Sequence, residues 1–331
     1  MIIKEIKLGK GLLFKKEELI IISDSGKSGL KIKLDNLTFE SLKKTLEGKE
    51  LNNIQDLQKI SEQIIKIDPN LEKQILLGII NSSDTGWKLI NTNIKNIPRP
   101  MSLIYKKDKG IKEFYLTSLN ASNFDGVIAA SRDVATLLEK KLSNLNKTLN
   151  DDELLGLIKE FVDKIFEDIE FELRICVNFS NYSNNKYIYN DKELDEKDQI
   201  DYVKNLIKIH DLFYIENPFY EGNLDSYKKL SENFRDKSLI CLNSKINEYT
   251  EGVDKNCFNA VVLNYNNFTQ FSSDIKIFRE NKINLILNAD VDLIHLIIGF
   301  NIPIIKSYND KNSEELTKEL MRVTQLMKEN R

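Results

Sequence analysis

The chain has 331 residues, 41% of them hydrophobic and 30% charged, enough apolar matter for a substantial core; the expectation is two domains, or one barrel with an appendage. Its 48 basic and 51 acidic side chains leave a formal charge of -3, so no global basic field draws in a phosphate backbone and nucleic-acid binding is unsupported. Three cysteines and two histidines exclude a disulfide framework, a zinc knuckle or a histidine-rich metal site as organising features.

The opening Met1-Ile2-Ile3-Lys4 shows no basic segment followed by a sustained apolar one. No uninterrupted apolar run approaches the ~20 residues of a membrane span. A cytoplasmic location is the resulting expectation. Abundant Ile, Lys and Asn with scarce Ala and Pro reads as codon bias in an AT-rich genome, and the Asn content argues against an extreme thermophile.

Taken in order, β-like runs at Leu19–Ile22 and Leu30–Leu34 precede helical periodicity over Phe39–Leu46, Ile54–Ile67 and Leu71–Ile80. Residues 1–95 are therefore predicted to form a small α+β domain. Between those runs, Ser25-Gly26-Lys27-Ser28-Gly29 carries the Gly-Lys-Ser of a phosphate loop. Ile21, however, stands where the required Gly should precede the Lys, and a β-like run follows in place of a helix, so the segment reads as a turn.

Beyond residue 96 short apolar runs alternate with amphipathic helices. Runs at Ser102–Tyr105 and Glu113–Leu116 lead to helices over Val127–Leu142 and Asp152–Asp168. The run Phe171–Val177 is followed by a polar hairpin turn at Asn184-Asn185-Lys186 and the helix Glu196–His210. Then come Leu212–Ile215, the helix Leu224–Asn233, Leu239–Leu242, Asn259–Leu263, the helix Phe271–Asn281 and Asn284–Leu287. The helix Val291–Phe300, the run Ile302–Ile305 and a last helix over Ser313–Glu329 complete the alternation. So many strand–helix repeats predict parallel strands closed into a barrel over residues 96–331. Cys176, Cys241 and Cys257 fall among apolar residues and read as buried reduced thiols; His210 and His295 read as packed imidazoles.

In a barrel of parallel strands the chemistry sits at strand C-terminal ends. Residues at or near those ends are Glu113, Ile175–Val177, Glu216, Asn243, Asn264, Asn288 and Lys306. Two carboxylates and one lysine facing the mouth would suffice for acid–base work or for holding a small anion.

Five segments, in series, resemble enolase. Ile97-Pro98-Arg99-Pro100-Met101 looks like L-P-V-P-M, and Lys112-Glu113-Phe114-Tyr115-Leu116 like Q-E-F-M-I. Ile215-Glu216-Asn217-Pro218-Phe219 is similar to I-E-D-P-F, Glu251–Asn267 to E-G-I-E-K through K-V-N-Q, and Ile305-Lys306-Ser307 to I-K-T. The likeness covers about residues 97–325. It implies a TIM-type (β/α)8 barrel of enolase type behind a small α+β N-terminal domain, a homodimer, and phosphopyruvate hydratase ancestry.

Residue by residue, the resemblance implies that Glu216 matches a magnesium-ligating Glu, Glu113 an acidic active-site Glu and Lys306 a substrate-binding Lys. Ile175 stands where the first metal Asp is expected, with Arg174 or Cys176 there under a one-residue shift. Asn243 replaces the third metal Asp and Asn264 the Lys that removes the substrate's α-proton. The S-H-R-S segment shrinks to Leu287-Asn288-Ala289-Asp290, and the G-G-S-H and G-D-E-G-G segments are missing. Magnesium wants near-octahedral oxygen coordination, and an amide cannot serve as the base. The expectation is an enolase-like protein without hydratase activity, kept as a binding or structural protein with no cofactor and an unnamed protein partner. The alternatives are a magnesium-dependent lyase acting on 2-phosphoglycerate or a related acid, and a phosphometabolite sensor.

Overall fold

β1 (Ile3–Lys10) buries Ile3 and Ile6; residues three apart fall on opposite faces of a regular strand, and the register shift between Ile3 and Glu5 interrupts that alternation. This strand pairs antiparallel with β2 (Glu17–Ser23), which pairs with β3 (Lys27–Leu30). In the computed structural model the described residues are 1–10, 17–94, 97–121, 124–145, 147–189, 192–220, 222–243, 246–288, 290–308 and 311–329. The expected turn between the two strands lies at Asp24–Gly26, closed by Ser23 N–H on the Gly26 carbonyl at 2.8 Å, while Lys27, Ser28 and Gly29 already belong to β3. That turn starts the β2–β3 pairing at Ile22 and Lys27 and ends it at Leu19 and Leu30. The predicted strand over Leu30–Leu34 is thereby corrected: past Leu30, Ile32 N–H folds back onto the Leu30 carbonyl at 3.0 Å. The Lys- and Glu-rich β1 gave too weak an apolar signal to be anticipated.

Helices α1 (Asn36–Leu46) and α3 (Glu72–Asn81) pack on this sheet, and α2 (Ile54–Ile67) packs against both helices. Asp35 caps α1 by accepting from Thr38 N–H, and Asn53 caps α2 by accepting from Gln55 and Asp56 N–H. The sequence boundary at residues 95 and 96 lies outside the described residues.

A closed barrel of eight strands follows, its neighbours in hydrogen-bonded order being Tyr214–Glu216, Leu239–Leu242, Ala260–Leu263, Asn284–Asn288, Ile304–Ser307, Arg99–Lys106, Glu113–Ser118 and Leu173–Asn178. Its first members are β4 (Arg99–Lys106), β5 (Glu113–Ser118) and, after α4 (Phe124–Ser143) and α5 (Asp151–Phe166), β6 (Leu173–Asn178). A small three-stranded sheet, β7 (Tyr182–Ser183), β8 (Lys186–Ile188) and β9 (Glu193–Leu194), projects beyond β6. Asn184 and Asn185, at φ 49° and 60°, make its tight turn. Then come α6 (Glu196–His210), β10 (Tyr214–Glu216), α7 (Leu224–Phe234), β11 (Leu239–Leu242), α8 (Ile246–Asp254) and β12 (Ala260–Leu263). The chain continues through α9 (Phe268–Glu280), β13 (Asn284–Asn288), α10 (Ile294–Gly299), β14 (Ile304–Ser307) and α11 (Lys311–Glu329).

The all-parallel expectation needs one correction, because β5 runs antiparallel to both β4 and β6. The connection from Lys107 to Lys112 is too short for a crossover and can only make a hairpin. Inside the barrel, Met101, Tyr115, Cys176, Tyr214, Cys241, Ala260, Val262, Ile286 and Ile304 form one apolar plug; the alternate residues face the helices. The three cysteines are buried free thiols, and both histidines are buried. Among the described residues no helix is long and apolar enough to cross a membrane.

Candidate functional site

The polar groups meet above the apolar plug, at the end of the barrel where the parallel strands finish. Glu216 is the last residue of β10 and Lys306 the third of β14; both point inward, two positions beyond Tyr214 and Ile304 of the plug. Glu113 arrives from the opposite direction. As the first residue of the antiparallel β5, it sits at the same mouth, opposite Asn178 of β6. The sequence placed Glu113 at a strand C-terminus, and the reversal of β5 is why an N-terminal residue does that work.

Lys306 is 2% exposed and Glu216 0%. The ammonium lies 2.8 Å from Glu216 Oε2, 3.9 Å from Glu113 Oε2 and 5.0 Å above the centre of the Tyr115 ring. Tyr214 donates its hydroxyl to the same Glu216 Oε2 at 2.6 Å, and Asn243 donates Nδ2 to Oε1 at 2.9 Å. Glu113 Oε2 accepts from the Tyr115 hydroxyl and, at 2.9 Å, from Asn178 Nδ2. Its other oxygen faces Lys106 Nζ at 3.4 Å, on the outer side. A pair so far out of water is tolerable only with its remaining lone pairs satisfied, as they are here.

Burial works to lower the Lys306 pKa, but the charge of Glu216, then Tyr308, the Glu216 hydrogen bond and Glu113, hold it above the ordinary lysine value. For Glu113 burial works upward, and is outweighed by the Tyr115 and Asn178 hydrogen bonds and the charges of Lys306 and Lys106, so its pKa is depressed. Burial first of all pushes the Tyr115 and Tyr214 hydroxyls and the Cys176 and Cys241 thiols upward. The tyrosines therefore remain donors at neutral pH, and neither Lys306 nor Glu113 is poised to exchange a proton there.

The three residues named for the first-metal position do not reach Glu216. Ile175 packs in the outer layer, Cys176 lies inside but deep in the plug, and Arg174 turns to Glu172 and Asp211 at 3.1 and 2.9 Å. The residue beside Glu216 is Asn178, paired with it in register. Two-residue alternation from Cys176 points to it, although the apolar run Phe171–Val177 stops one residue short. Tyr115 and Tyr214 also escaped the sequence reading.

Asn243 does stand at the end of β11 beside Glu216, as expected. Asn217 holds it there: its Oδ1 accepts from Asn243 N–H at 2.8 Å and its Nδ2 donates to the Asn243 carbonyl at 3.0 Å. With φ at 45°, residue 217 occupies the left-handed region that Asn tolerates, and the double contact uses both functions of an amide. Asn264 stands exposed just past β12, and Asn288 ends β13, exposed. In the Leu287–Asp290 segment, Ala289 lies outside the described residues.

Magnesium, the ion the resemblance implies, does not fit these donors. Both oxygens of Glu216 are engaged by Lys306, Tyr214 and Asn243, and the flanking positions present amide N–H groups. Among the described residues no three His, Cys, Asp or Glu side chains are grouped to hold a metal.

Fold and site together define an α/β protein with a closed mixed barrel of eight strands and a buried polar cluster at its mouth. No family model matches the chain. It is similar to the enolases of Halorubrum lacusprofundi (24% identical, covering 48% of this chain and 44% of the relative), Picrophilus torridus (23%, covering 64% and 62%) and Ehrlichia chaffeensis (25%, covering 65% and 59%). These matches support an enolase-like relationship. The chain spans from about two-fifths to three-fifths of the length of these curated relatives.

Proposed function

We propose that this is an enolase-like protein that does not carry out phosphopyruvate hydration and serves instead as a binding or structural protein. One observation carries the reading: the Lys306 ammonium sits on the one carboxylate that matches a metal ligand, and Asn178 and Asn243 stand on either side of it. Forming an enediolate beside a carboxylate needs a metal to stabilise it and a base to take the proton. Here the donors for the metal are amides, and the position matching the base is Asn264. In this reading residues 1–95 are the enolase-like α+β domain and 96–331 a TIM-type barrel. The protein is a cytoplasmic homodimer that needs no cofactor and meets a protein partner through its surface.

The test is direct. Purified protein is given 2-phosphoglycerate with magnesium and phosphoenolpyruvate formation is followed; no turnover above the uncatalysed rate is expected. Metal-dependent turnover at an ordinary enzymatic rate, on the order of 1 s⁻¹ or more, refutes the proposal and restores the lyase reading. A phosphometabolite sensor needs Lys306 released from Glu216. Calorimetric titration with 2-phosphoglycerate, with no heat of binding expected, separates that reading from ours.

A further inference from the structure

Two carboxylates and one ammonium share a volume from which water is largely excluded. Glu216 on β10 and Glu113 on β5 come from strands separated in the barrel by β6 alone, and Lys306 reaches both from β14, which stands opposite β10 and is separated from β5 by β4. Without a cation between them, two carboxylates this close in a low-dielectric pocket would repel by several times what they would in water. Lys106 relieves only the outer oxygen of Glu113 and is itself exposed, so the buried side depends on Lys306. The aromatic face of Tyr115 beneath the ammonium adds to its hold.

We propose that Lys306 is the resident cation of the barrel mouth: its ammonium, carried on β14, occupies the place a diffusible divalent ion would need and holds the Glu216 and Glu113 strands together. The inference rests on the reading above that the mouth has given up its metal. A cation supplied by the chain is present at high effective concentration at all times. An incoming ion would have to break the Lys306–Glu216 contact and strip the Tyr214 and Asn243 hydrogen bonds before it could bind. The barrel mouth is then indifferent to the divalent metals of its surroundings.

Manganese is the probe, read by calorimetry, by loss of the free-ion paramagnetic signal and by the melting temperature. The native chain is expected to bind no manganese at the mouth and to keep its Tm. Lys306→Met is expected to gain a site, with Tm rising by about 2 °C or more once the ion stands at ten times its Kd. Sodium chloride at matched ionic strength should not reproduce the rise, and Glu216→Gln/Lys306→Met should lose it. If Lys306→Met does not fold alone, it is refolded into manganese: native circular dichroism regained there and not in sodium chloride supports the proposal, and no recovery in either overturns it. Native protein that binds manganese as tightly as the variant also overturns it, as does a folded Lys306→Met that ignores the ion. Manganese binding by the native chain without turnover defeats this inference alone. Turnover that persists in EDTA defeats the proposed function alone.

Discussion

The ion pair between Glu216 and Lys306 makes a quantitative prediction because its two halves are not equivalent. Removing Lys306 leaves Glu216, 0% exposed, with only the neutral donors Tyr214 and Asn243. An uncompensated buried charge of that kind costs about 3–5 kcal/mol. Removing the charge of Glu216 is milder, because Lys306 still has Glu113 Oε2 at 3.9 Å and an amide oxygen can still accept from Tyr214. We expect Glu216→Gln to cost about 1–3 kcal/mol, nearer the price of one charged hydrogen bond. The double variant Glu216→Gln/Lys306→Met should be less destabilised than the sum of the two, with a coupling of at least about 1.5 kcal/mol, since contacting residues fail additivity by this order. Urea denaturation of the four proteins, followed by circular dichroism and compared at equal slope, measures the cycle. Additivity to within about 0.5 kcal/mol would mean the two groups do not act as a pair. Two single variants both within about 0.5 kcal/mol of the native chain would mean that the mouth is solvated and that the account of its burial is wrong.

Two further predictions concern the packing around the barrel. His295 on α10 is buried, stacks on Trp87 at 5.4 Å and has no hydrogen-bond partner at Nδ1. Burial is the main reason its pKa falls to about 4; Glu319, Arg322 and Asp84 are the charges that face it. A folded pKa below the unfolded value favours the neutral ring, so its stability contribution is complete above about pH 6.5 and is lost as pH falls through about 4, an effect of order 3 kcal/mol. His295→Phe should flatten this part of the acid limb, and equal urea-midpoint shifts between pH 7 and 4.5 in both proteins would refute the assignment. Glu72 of α3, also buried, accepts from Ser61, Tyr265 and Phe268 N–H at 2.6, 3.3 and 3.0 Å and ties α2 and α3 to the start of α9. Glu72→Ala should cost about 2–3 kcal/mol by leaving those donors unpaired, and should speed hydrogen exchange at the Phe268 amide; unchanged exchange there would sink the idea.

The helices and most barrel strands were legible because each announces itself over a few turns of chain. Ile54–Ile67 and Glu196–His210 carry their periodicity within their own residues and their caps, Asn53 and Asp195, in the residue before, and both appear with the predicted bounds. Leu239–Leu242 did the same as a short apolar run. Where the local signal is weak the element is not legible: half of β1 is Lys or Glu, and the stretch after Leu30 alternates as a strand should although its pairing with β2 ends at Leu30. At the mouth, Glu216 and Lys306 were visible as polar residues ending apolar runs, and Asn243 stands where the strand end predicted it.

What the sequence determined unaided is the inventory: strands and helices in alternation, an enolase-like order of segments, two carboxylates, one lysine and amides at strand ends. Tertiary structure alone decided which of these meet. Whether β5 runs up or down depends on a short connection forcing a hairpin, and that reversal brings Glu113 within 3.9 Å of Lys306. Which residue of β6 faces inward depends on register with β10, and that register selects Asn178 over Ile175. Whether Lys306 meets an outside anion or its own Glu216 depends on how far across a closed barrel its side chain reaches. Each is a property of pairing and closure between distant strands, and no stretch of chain read by itself contains it.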